Sequence, residues 1–134
     1  MAARRAIHSL PPVLEHAIDR VFAAAHAACR DQQAAAEVTR RVLVADPHGR
    51  PEVLAARGAC LAAGRSAAYA AMEPRDRDAV VLARVLGWKT DRIADQLGTT
   101  PAEITTRLAR GLRTLRPPRD CAGAVSRAHA ARAS

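Results

Sequence analysis

The sequence predicts an all-α fold, a small helical N-terminal bundle followed by a C-terminal helix-turn-helix domain. Three observations predict it. β-branched and aromatic residues are low in number, with one Phe, one Tyr and one Trp, which argues against a sheet. Apolar residues recur every three or four positions through several stretches, the period of an amphipathic helix. Prolines and glycines punctuate the chain between those stretches. At 134 residues the chain is the size of one ordinary domain or two very small ones. Much of its 49% apolar content is alanine, so the core is expected to be thin and built by close approach of helices.

Residues 1–12 read as a flexible lead-in ending at Pro11-Pro12. An N-terminal domain is expected over 13–72. Its first helix spans Val13–Cys29, with Leu14, Ala17, Ile18, Val21, Phe22 and Ala25 on one face and Glu15, Asp19 and Arg20 off it. Arg30-Asp31 marks a break. A second helix spans Gln33–Ala45, with Ala34, Val38 and Val42 inward. Asp46–Pro51 is a loop. Pro51 opens a third helix running to about Met72, in which Gly58 and Gly64 permit close helix contact at a cost of about 1 kcal/mol each relative to alanine.

The C-terminal domain is expected over 73–116. Pro74 starts a helix that carries Asp76 and Asp78 in its first turn, buries Ala79, Val80, Leu82, Ala83 and Leu86, and ends at Gly87. Trp88 follows as a core anchor. Ile93, Ala94 and Leu97 give a short helix its apolar face, and Gly98-Thr99 ends it. Thr100-Pro101-Ala102-Glu103 then opens another helix: Thr100 as N-cap, Pro101 at the first helical position, Glu103 completing a capping box. Ile104, Leu108, Leu112 and Leu115 form its buried stripe. Pro117-Pro118 stops it, and 117–134 reads as a flexible basic tail.

The formal net charge of +8 fits a polyanionic partner, nucleic acid first. Lys89 is the one lysine among 21 basic residues, however, and an Arg- and Ala-rich composition is also what a GC-rich bacterial genome imposes. Placement therefore matters more than the total. Arg107, Arg110, Arg113 and Arg116 lie off the apolar stripe of the last helix, with no acid within 104–116. Two helices, a tight glycine turn and a basic outer face describe a helix-turn-helix that reads DNA. The N-terminal residues of such a second helix approach base edges in the major groove: here Thr99, Thr100, Ala102, Glu103, Thr106 and Arg107. Thr can bond either strand's edges, Glu can accept from cytosine, and Arg can bind guanine bidentately. Glu103 has a competing task in the capping box. Arg110 and Arg113 lie further along, where phosphate contact is expected.

Other chemistry finds little support. No apolar run approaches the roughly 20 residues of a membrane span, and no signal-peptide core is recognisable. Cys29, Cys60 and Cys121 are odd in number and far apart, which fits reduced thiols in a cytoplasmic protein. His26 and Cys29 have a spacing that could share a metal, but further ligands are lacking, so neither metal nor cofactor is expected. Phosphate-binding loops and hydrolase motifs are absent, and no enzymatic activity is expected.

Residues 74–116 resemble the fourth conserved region of bacterial sigma factors, closest to the extracytoplasmic-function type. The matches are Pro74, Arg75, Asp76, Arg77, Leu82, Gly87, Ile93, Ala94, Leu97, Gly98, Arg107, Leu108, Arg110, Gly111, Leu115 and Arg116, without a gap. Asp91-Arg92 departs from the usual acidic pair. The LuxR-type output domain shares the first half of this pattern, while the Arg-Leu-x-Arg-Gly ending is of the sigma type. The resemblance implies binding of the upstream (minus-thirty-five) promoter element through Thr100, Glu103, Arg107 and Arg110, with docking on core RNA polymerase. Arg30-Asp31 and Ala36–Leu43 are similar to the family's second region, with Val38 and Arg41 departing from it. That region melts promoters with aromatic residues, of which 44–71 holds only Tyr69. The resemblance thus implies a sigma-like promoter reader deficient in melting. The alternative is an interaction module, an adaptor or decoy that binds polymerase or an anti-sigma factor without initiating.

Overall fold

The structure, a computed structural model, describes residues 11–115. Expectations for residues 1–10 and 116–134 lie outside the described residues. Within them the chain forms seven helices and no strand: α1 (Pro12–Cys29), α2 (Gln32–Ala45), α3 (Pro51–Ala63), α4 (Ala67–Ala70), α5 (Pro74–Arg84), α6 (Thr90–Leu97) and α7 (Pro101–Leu115). The all-α expectation is met.

The breaks have local causes. Arg30 takes a left-handed conformation (φ 56°) after α1, and the Asp31 carboxylate caps α2 by accepting the Gln33 and Ala34 N–H groups at 2.9 and 3.3 Å. The third helix is shorter than the expected run to Met72. It stops at Ala63, where the Arg65 and Ser66 N–H groups reach back three residues to the Ala62 and Ala63 carbonyls. Ser66 is extended, and its hydroxyl accepts the Ala68 N–H to start the one-turn α4.

Two cores share α3. The first joins Val21, Ala25 and Ala28 of α1, Ala35, Val38 and Val42 of α2, and Leu54, Ala55, Ala59, Ala62 and Ala63 of α3, with Val81 reaching in from α5. The second joins Ala56 of α3 to Ala79 and Leu82 of α5, Ile93 and Ala94 of α6, and Ile104 of α7. Helix α3 carries only Glu52 and Arg57 as charged residues, so nearly its whole circumference can be buried. Gly58 makes the α1–α3 contact possible, because a Cβ there would lie 2.8 Å from Val21 Cγ1. Gly64 instead stands at the end of α3, so the close-contact reading holds for Gly58 alone of that pair.

Candidate nucleic-acid interface

Helices α6 and α7 form the helix-turn-helix. Gly98 ends α6 at φ 67°, a conformation that favours glycine, and the Gly98 and Thr99 N–H groups both donate to the Ala94 carbonyl. Thr100 then caps α7, its hydroxyl accepting the Glu103 N–H at 3.2 Å. The expected capping box is only half made. The Glu103 carboxylate turns away from the cap to accept Arg107 Nε at 3.3 Å, and lies 3.9 Å from an Arg110 nitrogen.

The buried stripe of α7 also differs from expectation. Ile104 is fully buried and Leu108 packs beside it, but Leu112 is 41% exposed. Gly111 takes the inward position. A Cβ at Gly111 would lie 2.5 Å from Val80 Cγ2 and 3.1 Å from Met72 Sδ, so the missing side chain sets the α5–α7 separation. Ile104, Leu108, Gly111 and Leu115 thus form the inner row, at spacings of four, three and four.

Opposite that row, Ala102, Thr105, Thr106, Ala109 and Arg113 line up as an exposed ridge. Its first two turns are small and neutral, and Arg113 follows. The Thr105 and Thr106 hydroxyls donate to the Pro101 and Ala102 carbonyls, leaving oxygen lone pairs outward. The Arg113 Nε donates to the Ala109 carbonyl.

The other expected DNA residues are placed differently. Thr100 is exposed and Thr99 half-buried. Glu103, Arg107 and Arg110 share one flank of α7, turned toward α5. The Arg107 side chain is only 12% exposed, in a cleft it lines with Arg75, Asp78, Leu97, Gly98 and Thr99. Arg110 donates to the Asp76 carboxylate at 3.2 Å. Counter-charges that the α7 sequence lacks are therefore supplied by α5. The same cleft holds Asp78, whose carboxyl is raised above its ordinary value by burial, although Arg77, the Cys60 thiol and Arg107 all pull it down. Burial and Asp78 together push the Cys60 thiol up, keeping it protonated.

Trp88 packs on the second core as its anchor, and the Arg92 guanidinium stacks 4.1 Å above its ring. His26 stacks on Phe22 with centroids 5.9 Å apart. The Cys29 thiol donates to the Asp31 carbonyl. Among the described residues no cluster of three or more candidate ligands could hold a metal ion, and no helix is long and apolar enough to cross a membrane.

The comparisons with known proteins agree with this geometry. A sequence model of the family described as Sigma-70, region 4, matches residues 67–115, which span α4 to α7. No curated protein and no solved structure matches the chain. The matched span holds the left-handed Gly98 turn, the Thr100 cap and the exposed α7 ridge, the parts a DNA-binding transcription domain requires. Over residues 67–115 the chain thus carries a sigma region-4-like helix-turn-helix domain.

Proposed function

We propose that this protein recognises upstream promoter DNA through α7, docks on core RNA polymerase in the bacterial cytoplasm, and does not itself melt promoters. The exposed ridge Ala102–Arg113 carries the reading. Small side chains at Ala102, Thr105 and Ala109 let the helix sit deep in a major groove, where Thr99, Thr100 and Thr106 reach base edges. Arg110 and Arg113 meet phosphates on either side. Glu103 and Arg107 then act mainly by bracing one another. The absence of melting is supported by Tyr69, the lone aromatic of residues 44–71, which is half-buried against the first core.

Titrating the full chain with promoter fragments across salt tests this. Log K is expected to fall linearly with log salt, with a slope of about −2 to −4, the value for a few phosphate contacts. Absence of binding at low salt, or a flat response, would sink the DNA reading. Transcription with core polymerase is expected to show no initiation on a closed duplex, and robust initiation would remove the melting claim.

The second reading, an adaptor or decoy that binds polymerase or an anti-sigma factor without promoter initiation, draws on the N-terminal helices. They leave Val13 and Val44 72% and 76% exposed. Both readings dock on polymerase, so the two assays together separate them: the second stands if polymerase or an anti-sigma factor is retained while no promoter fragment is bound, and it fails if neither partner is retained.

A further inference from the structure

Asp76 stands in the first turn of α5 with its side chain only 7% exposed. A carboxylate that covered must be hydrogen-bonded to a partner, because its burial is otherwise costly. Its partner is Arg110 of α7, 3.2 Å away, whose own side chain remains 46% exposed. Two features make the pair possible. Gly111 brings the α7 backbone against α5, close enough that a Cβ there would lie 3.4 Å from the Asp76 carbonyl oxygen. Glu103 Oε1 lies 3.9 Å from the same guanidinium nitrogen that Asp76 accepts from. A guanidinium carries five N–H donors in a rigid fork, so the bond to Asp76 occupies one edge and leaves others facing solvent beside the Thr106–Arg113 ridge.

We infer that Asp76 is a positioning residue for DNA binding: it holds the Arg110 guanidinium at the edge of the α7 ridge, so that the free N–H groups meet a backbone phosphate already oriented. A long arginine otherwise loses rotamer freedom when it binds, and the anchor removes most of that loss beforehand. The inference rests on the proposed reading that α7 faces DNA. It assigns the Pro74–Arg77 segment a part in that binding, through an acid that touches no DNA.

The test uses the full chain and an upstream-promoter duplex, with Asp76→Asn, Arg110→Ala and the double variant. Each single variant is expected to weaken binding roughly three- to ten-fold at low salt and to make the salt slope shallower by up to about 0.9, the signature of one phosphate contact. The double variant is expected to lose no more than Arg110→Ala alone. A purely structural role would lower the melting temperature and leave the salt slope unchanged, and that result overturns the inference. Tighter binding by Asp76→Asn would mean that Asp76 competes with phosphate, and additive losses in the double variant would mean that it acts elsewhere; both overturn it. Should Asp76→Asn not fold at the assay temperature, Arg110→Lys tests the fork geometry on which the anchor depends. It keeps the charge opposite Asp76 but lacks the fork, so a several-fold loss is expected and unchanged affinity overturns the inference. If the wild-type chain binds no duplex at low salt, the parent reading fails and this one with it. If the wild type binds and Asp76→Asn matches it in affinity and slope, this inference alone fails.

Discussion

Asp78 and Asp76 stand two positions apart on α5, and their surroundings treat them differently. Asp76 has Arg110 as a direct partner, whereas burial dominates at Asp78 and raises its carboxyl pKa. Between its ordinary value and the raised one, the folded chain holds a proton that the unfolded chain releases. Asp78 therefore removes stability as pH rises through that window. Asp78→Asn lacks this titration, so its stability relative to wild type is expected to improve as pH rises above about 4, measured by denaturant midpoints. A relative loss with rising pH would contradict the assigned cause. At this scale the sequence was partly legible. The Thr100 cap and the Gly98 turn follow from residue chemistry and were readable in advance. The fate of Arg107 and Arg110 was not, because their flank faces Asp76 and Asp78, about thirty residues earlier in the chain.

Among the helices, the contact between α5 and α7 depends on a residue that no hydrophobicity pattern marks. Apolar spacing selected Leu112 for the inner row, yet Gly111 occupies it, because α7 packs too close for any side chain at that point. Gly111→Ala would normally gain about 1 kcal/mol of helix propensity. Here the added methyl meets the branched Val80 side chain and the Met72 sulfur, and overpacking of that kind costs about 1–3 kcal/mol. A net loss of about 1 kcal/mol is expected in denaturant unfolding, and a stabilised variant would show that the helices can part cheaply. The α3 boundary was misjudged for a related reason. Ala, Gly, Arg and Ser continue across 62–67 without a strong breaker, and only the tightened turn at Ala62–Ser66, with Ser66 recapping, ends the helix.

For the molecule as a whole, α3 ties the N-terminal helices to the helix-turn-helix. Its Ala56 and Cys60 cover Leu82, Ile93 and Ile104, while Leu54 and Ala59 on its other sides belong to the first core. Val81 of α5 crosses the other way. The full chain is therefore expected to unfold in one cooperative transition. A fragment of residues 67–115 alone is expected to melt at lower temperature and less sharply, since the second core loses its α3 wall. Circular dichroism of both would decide, and a fragment as stable as the parent would show the two halves to be independent. Sequence periodicity identified the longer helices of each half but neither α4 nor this sharing. An alanine-rich helix such as α3 has no clear polar face, and which side meets which neighbour is settled only by packing.

Trp88 gives that coupling a voice in light. It is the only tryptophan of the chain, it leans on the second core, and it lies under a cationic guanidinium. Its emission therefore reports the junction of α3 with the helix-turn-helix, while backbone ellipticity sums all seven described helices. The molecule carries an optical label where the domain proposed to read DNA meets α3, and a parting of Arg92 from the indole changes the surroundings that set its emission.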